Sequence, residues 1–139
     1  MKPEPVSIHQ IEPTPNRPVP FRLLPIKSYL QQHKIFTDHR HGFFELIYIE
    51  TGAGVHTVDF VDYPIQPHTF FLLSPGQVHN LRKGHIDAGF VLIFDRDYLT
   101  LYPPDNDLMM QVVVASRQRP QIALADIDGR FPTFRENVL

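Results

Sequence analysis

The sequence predicts a mainly β fold, a jelly-roll barrel over residues 21–100 followed by C-terminal helices over residues 101–139. Two observations carry that expectation. From Phe21 onward the apolar segments are short, closely spaced, rich in Phe, Val, Ile, Leu and Thr, and bounded by Gly, Pro, Asp or Asn, as in an antiparallel sandwich or barrel. After Asp95 they give way to longer stretches with helical spacing.

The first twenty residues hold Pro3, Pro5, Pro13, Pro15, Pro18 and Pro20, which lack amide donors and favour extended backbone. Residues 1–20 therefore read as an arm outside the core, either a leader without fixed structure or a strap across the barrel mouth when ligand is present. Strands are expected at 21–24, 44–49, 55–60, 69–73, 78–82 and 89–94. Residues 107–118 are long enough for a helix, although Val112, Val113 and Val114 are β-branched and weaken it. Residues 121–124 read as a further strand. Phe131, Phe134 and Val138 fall at i, i+3 and i+7, with Asp126 and Asp128 near the start and Pro132 in the first turn, so a last helix is expected there. Residues 135–139 carry no stop signal, which predicts a piece of a longer protein.

Composition narrows the function classes. With 139 residues the chain suffices for one core. Its formal charge of -2, from 13 basic and 15 acidic residues, offers no basic face for a phosphate backbone, so DNA binding is not expected on this segment. The absence of cysteine removes disulfides, thiolate chemistry and sulfur-ligated zinc. No apolar run approaches the roughly 20 residues of a membrane span, and the N-terminus lacks a signal-peptide pattern; a soluble, cytoplasmic protein is expected.

Four residues stand out as a candidate site: His39, His41 and Glu45 in one stretch, and His79 after the Ser74-Pro75-Gly76 turn. On a strand His39 and His41 point the same way, with Cα atoms about 6.6 Å apart. A straight strand would carry Glu45 about 13 Å beyond His41, so the chain must turn, and Gly42 with Phe43 is the expected corner. Three imidazoles and a carboxylate suit a divalent transition metal such as zinc, iron, manganese, nickel or copper. The same groups can instead hydrogen-bond one another, or read the hydroxyls or carboxylate of an organic ligand. Strand parity adds Ile47, with Glu45, and Leu81, with His79, as expected apolar ligand contacts. His9, His33, His56, His68 and His85 have no partners at useful spacing and read as ordinary surface or core residues.

The run His39, His41, Glu45, Gly52 resembles the first cupin motif, and Pro75, Gly76 and His79 resemble the second. Glycines of that pattern are replaced here by His33 and His68. More narrowly, residues 39–46, 74–79 and 89–94 resemble the N-terminal effector-binding domain of AraC-type transcription regulators. The likeness covers about residues 20–100. It implies a cupin-like double-stranded β-helix that takes a small-molecule effector, such as a sugar, in its barrel. It also implies a homodimer, with DNA bound through a helix-turn-helix domain beyond Leu139. The expected function is therefore ligand sensing and dimerisation, not catalysis. The alternative is a small metal-dependent cupin enzyme, a dioxygenase or isomerase, with Tyr48 or another nearby residue handling protons. A third reading is a ligand-free dimerisation module packed solid with aromatic side chains.

Overall fold

The computed structural model describes residues 7–9, 21–32, 37–95 and 106–125. In chain order these form β1 (Ser7–His9), β2 (Phe21–Pro25), α1 (Ile26–Gln32), β3 (His39–His41), β4 (Phe44–Val58), β5 (Val61–Pro64), β6 (Thr69–Leu73), β7 (His79–Phe94), α2 (Asn106–Gln118) and β8 (Gln121–Ala123). The strands make one sheet in the order β1-β3-β7-β4-β6-β8, with β2 on β7 and β5 on β4. All pairings are antiparallel except β1 with β3. The fold is mainly β, as expected.

The strands at the centre are longer than the sequence suggested. Segments 44–49 and 55–60 are one strand ending at Val58, and segments 78–82 and 89–94 are one strand beginning at His79. Thr51–Gly54, between the two segments expected as separate strands, lies inside the ladder that runs from Phe44↔Phe94 to Val58↔His79. Register shifts at Ile49/Thr51, Thr51/Gly52 and Val55/Thr57 bend β4 without breaking its pairing. The glycines serve close approach: a Cβ on Gly52 would lie 2.7 Å from the His85 carbonyl oxygen.

Tight turns return the chain at both ends. Asp59 and Phe60 both have positive φ, the geometry of a two-residue hairpin loop, between the paired Val58 and Val61. His68 takes φ 58 where the cupin pattern carries a glycine. Gly76 has φ 91, as a Pro-Gly turn requires.

Two apolar clusters hold the layers. The larger joins Ile47, Ile49, Phe71, Leu73, Val91 and Ile93 from the strands with Ile26 and Tyr29 from α1. In the smaller, Phe44 and Phe94 stack with centroids 5.2 Å apart, and Val112 and Val113 of α2 pack on them. Burial of those valines outweighs their low helix propensity, and so α2 forms. Helix α1 had not been expected; Ile26, Tyr29 and Leu30 at i, i+3 and i+4 were its signal.

Ser7–His9 is a strand paired in parallel with β3, in the register Ser7↔His39, Ile8↔Arg40 and His9↔His41. The rest of the arm and the last expected helix, with Phe131, Phe134 and Val138, lie outside the described residues.

Candidate functional site

The expected corner exists, because a bend at residues 42–43 separates β3 from β4. It brings Glu45 Oε2 to 2.9 Å from His41 Nε2. His79 comes from the other side through a pinned turn. The Gly76 amide donates to the His41 carbonyl at 3.0 Å, and the Asp59 carboxylate accepts from the Val78 amide at 3.1 Å and from Gln77 Nε2 at 2.8 Å. His79 is thereby paired with His39 in the sheet.

All four expected residues are buried, none more than 4 % exposed. Ring centroids are 4.1 Å apart for His39 and His79, 4.8 Å for His41 and His79, and 5.0 Å for His39 and His41. One ring nitrogen of each histidine lies within 4.8 Å of the other two. His39 Nδ1 donates to the Thr37 carbonyl at 2.8 Å, which leaves its Nε2 as the lone-pair nitrogen of the neutral ring. The Tyr29 hydroxyl donates to Glu45 Oε2 at 2.6 Å.

Sequence reasoning missed two members of this group. Tyr29 comes from α1. His56, read as an ordinary histidine, is 0 % exposed, and its Nε2 is 3.0 Å from His79 Nδ1. Only the bent course of β4 brings a residue 23 positions away onto His79, so spacing alone gave no sign of it. Tyr48, considered above for proton transfer, points elsewhere, its hydroxyl 3.2 Å from His68 Nδ1 in an exposed pair.

An enclosed cavity of about 10 Å³ sits at the cluster. Its polar wall is His39, Glu45, His56 and His79, and Ile47 and Leu81 are on its apolar wall with Tyr29. His41 does not line it. Space of that size holds about one water or one ion. Among the described residues, Glu45 Oε1, His56 Nδ1 and His79 Nε2 are buried polar atoms without a hydrogen-bond partner. Leaving such atoms unsatisfied costs about 1–3 kcal/mol each, a cost that a polar occupant of the cavity would offset. A larger open groove of about 590 Å³ involves Asp62, Arg82 and Lys83, but its charges are exposed and paired with one another, Lys83 with Asp62 at 3.5 Å, and they are screened by solvent.

The charge states are set by burial and neighbours. Burial alone would raise the Glu45 carboxyl, yet His41, with smaller contributions from His79 and the Tyr29 hydroxyl, outweighs it and holds the group well below the usual carboxylate range. Burial, the adjacent carboxylate and their hydrogen bond raise the Tyr29 phenol, so it stays protonated. Burial outweighs the attraction of Glu45 and pushes His56 down to about 4 and His79 well below the ordinary imidazole value.

A histidine whose pKa is depressed by folding binds protons more readily in the unfolded chain. Stability is therefore full above about 6.5 and is lost as pH falls towards 4. Taking the protein from pH 7.5 to 4.5 should cost about 2–3 kcal/mol for His56 alone. Melting curves across that range check this, and a flat profile would mean that the rings are not held neutral.

The family model described as the AraC-like ligand binding domain matches residues 20–103. The chain is also similar to the uncharacterized HTH-type transcriptional regulator YfiF of Bacillus subtilis (strain 168), at 26% identity over 94 residues. That alignment covers 68% of this chain and 29% of the relative, so the chain spans well under half of that relative's length.

Proposed function

Because this chain belongs to the family of AraC-like ligand-binding domains, we propose that it is the ligand-sensing part of a transcription regulator. The ligand sits at the cluster of His39, His41, Glu45 and His79, with His41 acting through its contact to Glu45, and with Ile47 and Leu81 as its apolar contacts. The observation that carries this reading is a closed cavity onto which Glu45, His56 and His79 each bring a buried polar atom without a partner among the described residues. DNA contact belongs to a helix-turn-helix domain outside this chain, as the name of the similar regulator suggests. Pairing into a homodimer through the helical segment fits the exposure of Met110 and Val114, one turn apart on α2.

Signal transfer follows from what touches the site. Tyr29 ties α1 to Glu45, and β1 of the arm is paired with the strand that bears His39 and His41. A ligand that competes for Glu45 loosens α1, and one that shifts β3 shifts the arm. Either works only through differential affinity for the two states. A metabolite pocket typically needs about 300 Å³ or more. A sugar or similar polar metabolite therefore enters only when α1 moves aside.

The size of the cavity and the three convergent imidazoles favour a second reading, a divalent transition metal as the occupant. Three convergent buried imidazoles beside an ionised carboxylate fit such an ion, with His39, His41, His79 and Glu45 as the holding residues. Bound there, it would supply a fixed positive charge and Lewis acidity. The dioxygenase or isomerase alternative is less well supported, since the family match and the similar regulator both favour a sensor and Tyr29, the phenol on the wall, is held protonated.

A thermal-shift screen with sugars, small acids and divalent metals, before and after EDTA, tests the sensor reading, because ligands of the native state raise its melting temperature. Stabilisation by a metabolite that persists in EDTA supports an organic effector. Loss in EDTA, restored by one metal, supports the ion. No stabilisation by any class counts against sensing. Tyr29→Phe should cost about 1.5–3 kcal/mol, the range for a hydrogen bond to a charged group. It should also tighten binding of any ligand that competes for Glu45, which urea melts and titrations of the same variant measure.

A further inference from the structure

We infer that His56 is the positioning residue of this site: it accepts the His79 Nδ1 proton at its own Nε2 and so presents His79 Nε2 to the cavity as a bare lone pair. The inference rests on the reading that the cluster holds a metal cation. His56 belongs to neither motif that marked the site in the sequence; the fold alone brings it there.

The two ring nitrogens are 3.0 Å apart, a hydrogen-bond distance, and both side chains are buried. Two neutral rings share a single proton across such a contact. If it sits on His79 Nδ1, then His79 Nε2 is unprotonated and can bind a cation. If it sits on His56 Nε2, then His79 Nε2 carries the other proton and is closed to a cation. The partner of one ring nitrogen thus decides what the other offers.

His39 shows the same device with a different partner. Its Nδ1 donates to a backbone carbonyl, an acceptor that has no second form, and this fixes Nε2 as the lone-pair nitrogen. For His79 the corresponding acceptor is an imidazole, which can be an acceptor or a donor. A cation at the cavity would need the Nε2 lone pair, and that is the form in which His56 accepts and the shared proton lies on His79 Nδ1. His56 also meets Phe71 in a T-shaped contact with centroids 4.5 Å apart, so a packing role must be separated from the positioning role.

The test pairs two substitutions with a direct readout of the tautomer. His56→Phe keeps ring volume and removes the acceptor; His56→Gln keeps an acceptor oxygen near the position of Nε2 and loses the ring. Zn²⁺ affinity is measured by calorimetry, and the His79 nitrogens are read by long-range ¹H–¹⁵N correlation. Expected are a loss of about 10–100-fold in affinity for His56→Phe, the range for removing an outer partner of a ligating histidine, and recovery of most of it in His56→Gln. Zinc-loaded wild type should carry the His79 proton on Nδ1. The reverse order, Phe tolerated and Gln weak, or a proton on His79 Nε2 in the loaded protein, overturns the proposal. If wild type binds no Zn²⁺, the metal reading fails by itself, and the tautomer in metal-free protein decides: Nδ1–H directed at His56 sustains the positioning role, and Nε2–H ends it.

Discussion

Glu45→Ala should destabilise the domain by about 3–5 kcal/mol, the range for removing one partner of a buried, hydrogen-bonded charge pair. The carboxylate is 0 % exposed, and one of its oxygens serves both the Tyr29 hydroxyl and His41 Nε2. Without it two buried donors lose their acceptor, and α1 loses its polar tie to the barrel. Glu45→Gln retains an amide oxygen that can accept from Tyr29, so its cost should be nearer about 1–2 kcal/mol. Urea denaturation of both variants at pH 7 measures the difference. Equal losses would mean that the cost is lost packing and that the carboxylate does not organise the cluster.

The other large effect is expected far from any polar group. Gly89 has φ 149, a conformation nearly confined to glycine, and it is paired with Ile49 in the β4–β7 ladder. A Cβ there would run into the Tyr48 carbonyl oxygen. Neither backbone can yield without giving up the ladder that positions Glu45, four residues before Ile49. Gly89→Ala should therefore cost about 3–5 kcal/mol, combining backbone strain with overpacking. A melting temperature within a degree or two of wild type would show that the strands part more easily than the pairing implies.

The sequence made the site more legible than the strand lengths. His39, His41 and Glu45 were readable together because period-two alternation and one bend suffice to bring them to a common point. His79 was readable because Pro75 and Gly76 announce a turn. Local rules failed where long-range pairing decided the outcome. Gly52 and Gly54 look like strand ends in one dimension, yet they are close contacts within a continuous ladder. His56 has no local signature because its partner arrives from β7, and a single histidine on a strand looks the same whether it packs or bonds. Helix α1 was overlooked because seven residues are too few for periodicity to outweigh the surrounding β pattern. For α2 the sequence left the valines as an objection, which packing on Phe44 and Phe94 removed.

The most direct test of the sensor account is to follow the histidine side-chain resonances of the ¹⁵N-labelled domain. Sugars, small carboxylates and divalent metals would be added in turn, beginning from EDTA-treated protein. The account predicts that one class produces saturable shifts at His39, His41, His79 and His56, while the exposed His85, 3.2 Å from Asp87, stays unchanged. Saturable binding that leaves those four rings unperturbed would contradict it, as would no response from them to any of the three classes.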